Sequence, residues 1–72
     1  MDSEMEARHL SLADHHIALG RSHIAAQQTL VDRLRSEHRD SVVAEELLAL
    51  FQDTLAAWEA HRSLIRASLA KR

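Results

Sequence analysis

Apolar residues return every seven positions along this chain. Leu10, Ile17, Ile24 and Val31 form one line, and Ala13, Gly20, Gln27 and Leu34 form another three residues further on. His9, His16, His23 and Leu30 run beside the first line, so that the unit His-Ile-Ala is written twice in succession. Apolar residues alternately three and four apart mark a helix that lies along other helices. The pattern predicts a first helix over about residues 4–37, on the order of 50 Å long at about 1.5 Å per residue. It is lost over Glu37-His38-Arg39-Asp40-Ser41, which predicts a tight turn at 38–40. A second stripe then runs through Ala44, Leu48, Phe51, Leu55, Trp58, Ile65 and Leu69. Arg62 interrupts it, and Leu47, Leu50 and Leu64 widen it. A second helix is therefore expected over about residues 41–70.

A short turn makes the two helices antiparallel. The fold expected is all-α, a single domain over 1–72 built as an antiparallel two-helix hairpin. Its core and interface residues would be Leu10, Ile17, Gly20, Ile24, Val31, Leu34, Leu48, Phe51, Leu55, Trp58, Ile65 and Leu69. Two helices cannot cover stripes this wide on one another, so some of Leu47, Leu50, Leu64, Phe51 and Trp58 should face water. Such a patch marks an interaction surface. The economical way to cover it is a homodimer forming a four-helix bundle, since closed dimers are the commonest assembly. A partner protein could fill the same role with its own helix.

Charge at the helix ends supports this topology. Ser3 and Glu6 have capping-box spacing, and Asp2, Glu4 and Glu6 complement the positive end of the first helix dipole. Asp40 or Ser41 can cap the second helix. In an antiparallel hairpin Glu45 and Glu46 lie near Arg33 and Arg35. Arg62, Arg66, Lys71 and Arg72 lie near the acidic start of the chain. No glycine is available for the left-handed residue that often closes a helix, so His38 or Arg39 must take it unless the turn has another geometry. Gly20, in mid-helix, costs about 1 kcal/mol relative to alanine. Its place on the seam suggests that another helix approaches so closely that a side chain would collide. Room for a ligand is the other reading.

Composition narrows the chemistry. The 72 residues include no cysteine, no proline and one glycine, and 28% are charged, with a formal net charge of −2. Disulfides and thiolate metal sites are excluded. A core this small needs a staple, which leaves a histidine–carboxylate metal site or a second chain. Basic residues form no stripe interleaved with aromatics, so no nucleic-acid partner is expected. No apolar run could span a bilayer, and the acidic N-terminus has no signal-peptide core, so no membrane association and a cytoplasmic location are expected. Without a nucleophile–base set, a phosphate-cradling loop or a nucleotide fingerprint, the protein is expected to be non-enzymatic and free of cofactors.

Histidine is the one oddity, with six residues. His9, His16 and His23 are spaced about 10.5 Å apart along the helix. That is too far for one metal ion, whose bonds to nitrogen are about 2 Å. Glu6 and His9 form a Glu-x-x-His pair, as in diiron bundles, but the facing stretch from Ser68 to Arg72 offers no carboxylate. A cross-helix site fits better. If residues near Arg39-Asp40 centre the turn, His61 lies level with Ala18, where His16, His61 and Glu59 could meet. The alternative function is thus a metal- or pH-responsive bundle in which His16, His23 and His61 take a divalent transition metal such as zinc, or gain charge together in mild acid. Arg62 would pair with Asp14 across the hairpin, or extend its head into water.

The residues His16-Ile17-Ala18, Gly20, His23-Ile24-Ala25, Gln27, Leu30-Val31 and Arg33-Leu34 continue into Leu47-Leu48, Phe51, Thr54-Leu55 and His61-Arg62. Together they resemble an uncharacterised family of short alphaproteobacterial proteins of about this length. The resemblance spans about residues 9–66 and rests on helix-surface patterns. It implies a helical hairpin and a bacterial cytoplasmic protein of unknown function. Members tend to carry glycine before the histidine of the turn, where this chain has Glu37.

Overall fold

The computed structural model describes residues 3–71. It is an all-α hairpin in which α1, Ser3–Ser36, packs antiparallel along α2, Val42–Ala70. Both helices lie within two residues of the expected bounds. The side chain of Ser3 lies outside the described residues, as does Arg72, so the expected capping box and the last basic residue are not part of this description.

The turn is closed by a left-handed residue that is not glycine. His38 has φ 57°. Its N–H donates to the Arg35 carbonyl at 3.1 Å, and the Arg39 N–H reaches back to Leu34 at 2.8 Å. This pair of bonds is a Schellman closure, which satisfies carbonyls that the end of α1 would otherwise leave open. Asp40 then caps α2 by accepting the Val42 N–H at 3.0 Å. Ser41 does not cap. Its hydroxyl donates instead to Glu45 at 2.7 Å.

All twelve residues expected in the core are buried or half-buried. Ile17 and Val31 are fully enclosed, and Ile65 is buried. Ala13 is fully enclosed too, and Glu6 is buried one turn before Leu10 on the same seam. Gln27 is at home on that seam because its amide donates to the Ala44 carbonyl at 2.9 Å.

Gly20 corrects one expectation. A β-carbon there would lie 3.4 Å from Leu55 Cδ1, an ordinary contact, so the helices approach closely but leave room for a methyl group. Only a larger side chain would collide.

The hairpin is a rod of 55 × 14 × 13 Å. Its radius of gyration is 16.4 Å, against about 11 Å for a compact domain of this length. Among the described residues, no helix is long and apolar enough to cross a membrane.

Candidate functional site

The two long sides of the hairpin differ in chemistry. On one side ion pairs bridge the helices: Arg62 to Asp14 at 3.2 Å, Arg21 to Glu59 at 3.5 Å, and Arg35 to Glu45 near the turn. Of the two readings of Arg62 from the sequence, pairing with Asp14 or extending into water, the fold takes the first. Exposed pairs of this kind are each worth about 0–1 kcal/mol, so they align the helices more than they hold them.

The other side is apolar. Moving back one residue from the packed seam gives, on α1, Met5, His9, Leu12, His16, Leu19, His23, Ala26, Leu30 and, at the turn end, Arg33. The same step on α2 gives Val43, Leu47, Leu50, Thr54, Ala57, His61, Leu64 and Ser68. Because the helices run in opposite directions, one step back on each turns both stripes to the same side. Apart from His16, Leu30 and Ser68, which are half-buried, every one of these residues is exposed. Among the described residues, seven of the eight large apolar side chains left in water lie here, Val42 being the exception.

Three depressions follow one another along this face. The central one, about 300 Å³, has Gly20, Phe51, Leu55 and Trp58 among its lining residues, with His16, Leu19, His23, Leu50 and Thr54. Thr54 and Trp58 are shared with the next depression, which continues to Ala57 and His61. His23 and Phe51 are shared with a third, which reaches Leu30 and Arg33. The hydroxyl of Thr54 is bonded to its own helix through the Leu50 carbonyl at 2.9 Å, so this residue adds little polarity to the groove.

Histidine–aromatic contacts join the helices across the groove. His16 stacks on Trp58 with ring centroids 4.3 Å apart, and His23 tilts against Phe51 at 5.9 Å. His61 meets the edge of the same indole at 5.7 Å. The expected meeting of His16, His61 and Glu59 is corrected here. Both histidines contact Trp58 instead, and Glu59 turns to Arg21. His23 belongs to a separate contact one heptad away. Among the described residues no three histidine or carboxylate groups are placed to hold a metal ion, so His16, His23 and His61 are not one cluster within the chain.

The sequence reading missed Met5, Leu12, Leu19, Val43 and Ala57 on this face. The signal was present in the seven-residue spacing of Met5, Leu12, Leu19 and Ala26. It was masked because the neighbouring isoleucine line is more apolar. Comparison with protein-family models, curated proteins and solved structures gives no match to this chain.

Proposed function

We propose that the protein is a non-enzymatic, cytoplasmic interaction module that docks further helices on its open face and so completes a four-helix bundle. The observation that carries this reading is the division of the hairpin into two sides. One carries the inter-helix ion pairs, and the other gathers, among the described residues, seven of the eight exposed large apolar side chains. Contiguous apolar surface on this scale is costly to leave in water and marks an interaction site. The covering helices belong to a second copy or to a partner protein.

The test compares the molar mass and helicity of the wild-type chain with those of Leu50→Lys. The wild type is expected to associate, and the variant to shift towards a folded monomer of 8.2 kDa. A wild-type chain that stays monomeric, melts cooperatively and binds no hydrophobic dye would overturn the reading.

A second reading, that docking responds to pH, is favoured by one observation. His9, His16, His23 and His61, four of the six histidines, lie on the face that docking would cover. Covering a histidine disfavours its charged form. Association should therefore weaken as pH falls through the histidine range near 6.5. Asp14 and Glu59, the neighbouring carboxylates, are engaged by Arg62 and Arg21. Equal dissociation constants at pH 8 and pH 5.5 would remove this reading.

A further inference from the structure

The open face has an internal symmetry that a two-fold partner would match. Gly20 and Leu55 face each other at the middle of the hairpin, where both line the central depression. His16 on Trp58 and His23 on Phe51 flank that point, one on each side. The exposed stripe of α2 is arranged about the same level. Thr54 and Ala57 are central, Leu50 and His61 come next, and Leu47 and Leu64 lie beyond. On α1 the level falls beside Leu19, midway between His16 and His23.

We infer that the occupant of this face is a second copy of the chain, docked about a two-fold axis perpendicular to the helices at the level of Gly20 and Leu55, with the two turns at opposite ends. This rests on the interaction-module reading and specifies its partner and geometry. A closed two-fold interface must be self-complementary, each residue meeting the copy of its counterpart. With this axis α1 lies over its copy and α2 over its copy. His16 faces the second copy's His23, and Leu47 faces the second copy's Leu64. Every neighbouring helix pair in the bundle is antiparallel.

One further observation points to a second copy. The chain exposes 5289 Å², where a compact monomer of its mass exposes roughly 4,500 Å². The excess is of the size, roughly 800 Å², that each partner contributes to a standard interface.

A spin label on Glu37→Cys, an exposed position at the turn, measures the arrangement in full-length protein. The chain has no other cysteine. The expected distance between labels is about 50 Å, from the axial rise between residue 37 and the midpoint taken twice. A distance below about 25 Å, with the mass of two chains, would overturn the proposed geometry and leave the interaction module standing. A monomer at every concentration would overturn the second copy as occupant. Paired with dye binding and a partner found by pull-down, it would leave the module intact; without dye binding, the module reading would fail too.

Discussion

The imidazole of His16 lies nearly parallel to the indole of Trp58, with centroids 4.3 Å apart and planes inclined by 23°. This contact ties the histidine row of α1 to the packed stripe of α2, and it does so at the floor of the open groove. Trp58 is the only tryptophan, so its emission reports on this place alone. Removing the stacked ring opens the indole face to water, so His16→Ala is expected to move the emission maximum to longer wavelength. His61→Ala, at the edge of the ring, should move it less. Equal shifts in the two variants would mean that the stacked contact does not shield the indole.

Gly20→Ala should stabilise the hairpin. The added methyl group meets Leu55 at an ordinary 3.4 Å, while the helix gains about 0.5–1 kcal/mol from the lost backbone freedom of glycine. Urea unfolding should show a higher midpoint at unchanged slope. Gly20→Leu should lower the midpoint, because the longer chain has to displace Leu55.

His38→Gly should also stabilise, through the turn. A side chain in the left-handed region costs roughly 1 kcal/mol that glycine does not incur, and His38 sits there at φ 57°. Thermal unfolding should move up by a few degrees, whereas His38→Val should lower it. No change in either variant would mean that the turn relaxes to another closure.

The base of α2 should contribute a weak acid dependence. The Ser41 hydroxyl first, and then the Arg35 guanidinium, hold the Glu45 carboxyl below the 4.5 of an unperturbed glutamate. A lowered value in the folded state contributes stability that is present above the unfolded value and is lost as pH falls through the folded one. Melting temperature should therefore decline below about pH 4.5, and Ser41→Ala should flatten that decline. Carbon-detected titration of Glu45 should show the low midpoint in the wild type and a higher one in the variant.

The heptad lines made the hairpin legible because a seven-residue repeat leaves few other ways to bury its apolar positions. Leu10, Ile17, Ile24 and Val31 pack where their spacing puts them, and the lack of glycine at the turn left His38, Arg39 or another turn geometry, of which the fold uses His38. The Arg62–Asp14 pair was legible for the same reason, since antiparallel register sets which charges meet. The histidines were harder. Counting residues from the turn places His61 beside His16, but the large indole of Trp58 takes up both rings and Glu59 leaves for Arg21.

By itself the sequence determined two helices, their lengths, their antiparallel packing and the stripe that forms their core, because helical periodicity and end charges are local properties. Which side of the hairpin stays open was decided only by tertiary packing. Each helix carries two adjacent apolar stripes, offset by one residue, and either could have turned inward. The stripe with Ala13, Gly20 and Ile17 went inside, where small residues let the backbones approach. The stripe that alternates leucine with histidine stayed out, since side chains of that size along the seam would hold the two backbones further apart.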